Sequence, residues 1–156
     1  MHIINNKRQK AFTLIELLVV ISIIGVLVAV SIFGLSGARE SSRDARRKAD
    51  LELIKAGLEL YKADCNSYPT SIPAAGSALV GTYPPTGAAS CKTANTYIAA
   101  IPADPITSDR NYIYKVNGNG YVLCASLEQQ SLATITDCGS AGLCGGSGCN
   151  YKIINP

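Results

Sequence analysis

The sequence predicts an α+β chain, in which one long N-terminal helix packs on a small antiparallel sheet and a cysteine-rich tail follows. Three observations carry this. Residues 12–35 form a 24-residue apolar run whose only charged residue is Glu16. Behind it, Leu51, Ile54, Leu58 and Tyr61 recur every three or four residues, the period of an amphipathic helix. Later, two alternating runs flank the tetrapeptide NGNG, a strong hairpin signal.

The elements follow in order. Residues 1–11 are a polar leader carrying Lys7, Arg8 and Lys10. As a helix, the apolar run would extend about 36 Å, enough to cross a hydrocarbon core of about 30 Å. An ionised carboxylate in such a helix costs roughly 2.5–3.5 kcal/mol, so Glu16 demands a function and a partner. The stretch SGARESSRDARRKADLELIKAGLELYKAD continues the helix, which should end near Asp64 because Asn66, Ser67 and Pro69 follow. Arg47, Glu52, Lys55, Glu59 and Lys62 fall on its other faces. Residues 69–110 hold every proline but the last and form a loop-rich connector, with a short helix expected over 95–100.

NYIYKV (111–116) and YVLCASL (121–127) then alternate as strands. Tyr112, Tyr114 and Val116 would share one face; so would Tyr121, Leu123, Ala125 and Leu127. Both faces suit packing against the amphipathic half of the helix, which leaves Cys124 on the outer side of the sheet. The tail, DCGSAGLCGGSGCNYKIINP, ends in a short strand over 151–154. No internal repeat is evident.

The net charge of +3 is uneven: three of the 14 basic residues lie in the leader, so eleven remain against 11 acidic ones. A neutral domain has no global footprint for nucleic acid. Catalysis has no visible basis. His2 is the only histidine and lies in the leader, while Asp104, Asp109 and Asp137 are scattered without a paired-carboxylate spacing or a phosphate loop.

All six cysteines (Cys65, Cys91, Cys124, Cys138, Cys144 and Cys149) follow the apolar run. An even number behind a membrane segment implies disulfides and an oxidising compartment. Zinc is disfavoured: no C-x-x-C and no nearby histidine accompany Cys138, Cys144 and Cys149. Basic residues flank the helix on both sides, Lys7, Arg8 and Lys10 in front and Arg39, Arg43, Arg46, Arg47 and Lys48 behind, so charge alone does not orient it. The cysteines do: the C-terminal domain faces outward. Six cysteines allow fifteen connectivities. Proximity favours Cys65–Cys91, Cys124–Cys138 and Cys144–Cys149.

Two plain accounts of the N-terminus compete. One is a secretory signal peptide cut after the small-x-small triplet Ser36-Gly37-Ala38; the other is a simple single-pass anchor whose Glu16 snorkels to the interface. A resemblance favours a third. KAFTLIELLVV is similar to the prepilin signal of type IV pilins and type II secretion pseudopilins: a basic leader ending in a small residue, then FTLIE, then a long apolar helix. RDARRKADLELIKAGLELYKAD followed by NSYPT resembles the helix end and Tyr-Pro step of the same family, and IPADPITSDRNYIY its Leu-Pro-x-Asp-Pro…Tyr-x-Tyr segment. The Cys-rich tail has no counterpart.

The resemblance implies a pilin fold with three segments: a cleaved leader (1–11), a transmembrane and filament-core helix (12–37) and an extracytoplasmic globular domain (38–156). It implies cleavage by a prepilin peptidase between Ala11 and Phe12, then N-methylation of Phe12. Ala11 stands where the family usually has Gly. Glu16 would meet the N-terminal amine of a neighbouring subunit during assembly, and Gly25, Ala29, Gly34 and Gly37 would let helices approach closely. Many members carry a mid-helix proline where this chain has Phe33–Gly34. Expected partners are other copies in a helical filament, the peptidase, an assembly platform, and the membrane before assembly, with the N-terminus cytoplasmic. Nucleic acid is not expected, nor any cofactor.

Within this family the residues favour a type IV pilin of a surface filament. The alternatives are a type II secretion pseudopilin and a DNA-binding competence pilin. Major pseudopilins usually build a calcium site from acidic residues late in the domain, and Asp137 is the only acidic residue in this tail. A competence pilin would need the basic cluster at 39–48 as an exposed patch, where a solvated or filament-buried face is expected instead.

Overall fold

The computed structural model describes residues 12–82, 90–107, 109–130, 135–139, 144–145 and 148–155. Helix α1 runs over Leu14–Cys65, and the chain divides into two compact units after Arg39. In the first unit the helix is exposed all round, from Ile15 and Leu18 to Val30 and Leu35. This apolar stretch is long enough to cross a membrane. Its two serines answer to the helix itself, Ser22 Oγ donating to the Leu18 carbonyl and Ser31 Oγ to that of Leu27, each at 2.8 Å. No hydroxyl there needs water, as a lipid medium requires.

The second unit begins within α1. The helix ends one residue beyond the expected point, because Asn66 adopts a left-handed conformation (φ 59°) and its N–H closes onto the Lys62 carbonyl at 2.8 Å. Asn tolerates that geometry better than other side chains with a Cβ. Leu51, Ile54, Leu58 and Tyr61 are all buried, as their period predicts. Each contributes about 1.5–3 kcal/mol of burial free energy.

Five short strands complete the unit: β1 (Leu79–Val80), β2 (Thr96–Ile98), β3 (Ile113–Asn117), β4 (Gly120–Ala125) and β5 (Tyr151–Asn155). β1 pairs with β2, and β3-β4-β5 form an antiparallel sheet with β4 central. The hairpin expected at NGNG is present: Asn117 pairs with Gly120, and Gly118 takes the positive φ (59°) of a two-residue loop. β4 is buried throughout. One of its faces (Tyr121, Leu123, Ala125) joins the α1 residues in the main core; the other (Val122, Cys124) joins Cys138, Cys144 and Cys149 in a second cluster.

Two expectations are corrected. The segment expected as a helix over 95–100 contains strand β2. Thr96, Tyr97 and Ile98 are β-branched or aromatic, and pairing with β1 over the helix decides their conformation. Gly57 makes that crossing possible, since a Cβ there would collide with the Ile98 side chain and come within 3.3 Å of the Tyr97 carbonyl oxygen. Tyr112 and Tyr114 pack against the core as expected, but Val116, at the end of the hairpin, is exposed.

Candidate functional site

Three groups of residues outside the plain apolar core were singled out by chemistry. The first is the helix start. Thr13 Oγ1 accepts the Glu16 N–H at 3.3 Å, and Glu16 Oε2 accepts the Thr13 N–H at 2.9 Å and its hydroxyl at 2.8 Å. This is a reciprocal capping box, T-x-x-E, with Thr13 as N-cap and Glu16 three residues in. The pattern stands plainly in FTLIE but is hidden by the family signature that shares it. It also places the carboxylate at the positive end of the helix. Glu16 Oε1 has no hydrogen-bond partner among the described residues. Phe12 precedes the cap and is exposed. Ala11, the other side of the expected cleavage point, lies outside the described residues.

The second group is a buried ion network that periodicity alone did not flag. Arg47 is fully buried. It donates from Nε and Nη2 to Asp104 (2.7 and 3.0 Å), and from Nη1 to Asp44 (2.7 Å) and Glu128 (2.6 Å). Arg43 adds a bond from Nε to Glu128 at 2.7 Å. Asp44 in turn accepts the N–H groups of Glu128 and Gln129 at 2.9 Å each, and Asp104 that of Ile106 at 2.8 Å. The network thus ties α1 to the connector and to the end of β4. The expected solvated or filament-buried basic face holds for the exposed Arg39, Arg46 and Lys48 and is corrected for Arg47 alone: it lies one turn before Leu51 on the core stripe, and a charge on that stripe must find partners inside. Burial opposes the Arg47 charge, but its bonds to Asp104, Glu128 and Asp44 outweigh it and raise its pKa. The Arg43 bond, helped by Arg47 and opposed by burial, holds Glu128 down at about 2. Two other members of the basic cluster are also engaged, Arg46 with Asp50 at 4.0 Å and Lys48 over the Tyr151 ring at 5.6 Å.

The third group is the cysteines, which form Cys65–Cys91, Cys124–Cys138 and Cys144–Cys149, with Cα–Cα distances of 4.6, 6.1 and 5.2 Å. The pairing favoured by proximity is the one observed. Every sulfur is buried: Cys65–Cys91 closes the end of α1 into the main core, and the other two bridges lie on the outer face of β4.

Calcium would need six to eight oxygen ligands, several of them carboxylates. Beyond Glu128 the sequence offers one carboxylate, Asp137, and Lys152 of β5 pairs with it, holding its pKa below the ordinary value. No group of three or more metal-ligating side chains exists among the described residues. The donor set does not fit a calcium site.

A capped apolar helix that runs on into an amphipathic half, packed on a small antiparallel sheet, defines the pilin and pseudopilin class. The family model for the prokaryotic N-terminal methylation motif matches residues 6–36, and that for protein G of the type II secretion system matches residues 35–156. The type II secretion system core protein G of Escherichia coli (strain K12) is 31% identical over 137 residues, covering 87% of this chain and 93% of that one. Its namesakes in Klebsiella pneumoniae and Aeromonas hydrophila are each 35% identical, covering 66% and 64% of this chain and 73% and 68% of theirs. No solved structure matches significantly. The chain belongs to the type II secretion system protein G family. The preference for a surface pilin, drawn from the missing acidic residues, is thereby reversed in favour of the secretion alternative. With the methylation motif in place, the apolar helix is a single-pass membrane anchor.

Proposed function

We propose that this chain is a structural subunit of a type II secretion pseudopilus. A prepilin peptidase cuts between Ala11 and Phe12 on the cytoplasmic side, the new amine of Phe12 is methylated, and copies of residues 12–156 polymerise through the apolar helix. Residues 12–37 form the filament core and residues 38–156 the extracytoplasmic domain. The observation that supports this most directly is Glu16. One carboxylate oxygen is used by the Thr13 cap, and the other is left for a cation on a helix whose surroundings in lipid offer none. Cleavage places a cation on Phe12, and a neighbour's amine of that kind is the partner Glu16 lacks. A competence role is disfavoured, because Arg47 is consumed inside the fold and the half-buried Arg43 is paired with Glu128.

The test separates the cap from the charge. Gln at the third position of a capping box still reaches back to the N-cap. Glu16→Gln should therefore keep the helix start and membrane insertion but lose most filament assembly, whereas Glu16→Ala should lose both the cap and assembly. Normal filaments from Glu16→Gln would reduce Glu16 to a helix cap. Mass spectrometry of the assembled subunit should find a methylated N-terminus at Phe12; a start at Arg39 would establish an ordinary signal peptide.

A further inference from the structure

We propose that the outer face of β4 is clamped by the Cys124–Cys138 and Cys144–Cys149 disulfides and not by a calcium ion, so that this packing forms only in the oxidised chain and takes no metal. The proposal does not depend on whether the chain polymerises.

The observations bear on it from two sides. On the negative side, residues 129–156 hold a single carboxylate, Asp137, already neutralised by Lys152. A hard cation has no cage to enter. On the positive side, the four sulfurs are themselves the packing. Cys124, Cys138, Cys144 and Cys149 are each at most 1% exposed, and among the described residues Val122 is buried beside them, with Ile113 and Ile135 partly so. Few apolar side chains are available here, since residues 137–149 are rich in Gly, Ser and Cys. Burial alone would therefore fall short of the chain entropy lost on ordering this segment.

The two bridges act on different joints. Cys124–Cys138 fixes the 3₁₀ turn Thr136–Cys138 to the central strand. Cys144–Cys149 closes a short loop in which Gly148 N–H bonds to the Gly145 carbonyl at 2.9 Å. Around them the backbone is stitched by Ile135 N–H to the Cys149 carbonyl at 2.9 Å and Asn111 N–H to the Cys144 carbonyl at 3.1 Å. Gly145 pairs with Arg110 so closely that a Cβ at Gly145 would strike the Asp109 carbonyl. Asn150 then returns the chain to the sheet through paired bonds with Leu127, at 2.6 and 2.9 Å. Removing these two bridges would release the joints, while the main core, with Cys65–Cys91, lies on the other side of β4.

The experiment uses the full chain in detergent micelles, with hydrogen exchange read amide by amide and unfolding followed by near-ultraviolet tyrosine signals. In the oxidised wild type, millimolar calcium, enough to fill even weak extracellular sites, should leave the unfolding midpoint where a chelator leaves it. Cys124→Ser/Cys138→Ser should lower the midpoint by about 10 °C. It should also deprotect the Ile135 and Asn111 amides at least tenfold more than the Ile101 amide, which bonds to Ser77 in the other sheet region. Cys144→Ser/Cys149→Ser, with its shorter loop, should show the same pattern at smaller amplitude and keeps the test alive if the first variant does not fold. A rise of the wild-type midpoint with calcium would overturn the proposal, as would calcium rescue of either variant. Equal protection of Ile135 in wild type and both variants would overturn it too.

Discussion

Replacing Arg47 by Met keeps an unbranched apolar stem and removes the guanidinium with its charge. The guanidinium is enclosed by Asp104, Asp44 and Glu128, whose side chains are 1%, 9% and 11% exposed. Breaking a buried pair by deleting one partner costs about 3–5 kcal/mol, because the survivor is left charged in a poor solvent. Asp104 bears most of this. Asp44 keeps the N–H groups of Glu128 and Gln129, and Glu128 keeps Arg43, whereas Asp104 retains only the Ile106 N–H. Glu128, held down at about 2 first by Arg43 and then by Arg47, loses only the smaller part of its support. The expected loss for Arg47→Met at neutral pH is therefore about 3–5 kcal/mol, a large share of the stability of a small domain.

The sign of the pH dependence follows. Glu128 is depressed in the folded state, so its contribution is complete above about pH 4.5 and disappears as the pH falls towards 2. The part of that contribution drawn from Arg47 is missing in Arg47→Met, so the gap to wild type should narrow as the pH falls below about 5. Denaturant unfolding of the full chain in micelles, read by tyrosine signals at several pH values, measures both. A variant within 1 kcal/mol of wild type at pH 7 would refute this account. So would a gap that is the same at pH 4 as at pH 7.

Other expectations concern single contacts. Thr13→Val removes the hydroxyl that accepts the Glu16 N–H; it should cost about 1 kcal/mol at the helix start and speed amide exchange over Leu14–Leu17 only. Gly57→Ala improves helix propensity by about 1 kcal/mol. It should nonetheless lower the unfolding midpoint, because the new methyl meets Ile98, and Gly57→Ala/Ile98→Ala should then lose less than the two single variants combined. If Gly57→Ala instead raised the midpoint, the close crossing of β2 over the helix would be wrong.

Much of the fold was legible because it rests on period. The apolar run, the stripe Leu51–Ile54–Leu58–Tyr61 and the alternation about NGNG each repeat one local rule, and the structure keeps all three. The disulfide pairing was legible for a different reason. The bridges close in sequence order without interleaving, at separations of 26, 14 and 5 residues, so nearness along the chain was a fair guide to nearness in space. What local rules could not supply was tertiary override. β2 is a strand because β1 and Gly57 are there to receive it. Arg47 is buried because Asp104, 57 residues away, comes to meet it. Extending the core stripe back by one turn would have raised the question, since a charge at that position either distorts the stripe or finds a counter-charge.

Counting carboxylates in the tail is a sound test for a calcium cage, and the donor set fails it. It does not distinguish a surface pilin from a secretion pseudopilin, because how the tail is held is separate from the class of filament. What a filament subunit asks of its outer domain is a surface of fixed shape around an anchored helix. In this chain two disulfides buried on the back of β4 hold that part of the domain. The determinants of membrane anchoring lie in another part of the sequence, in FTLIE and the uninterrupted helix behind it. The three disulfides all lie in the unit that follows Arg39, and the capped apolar run in the unit before it.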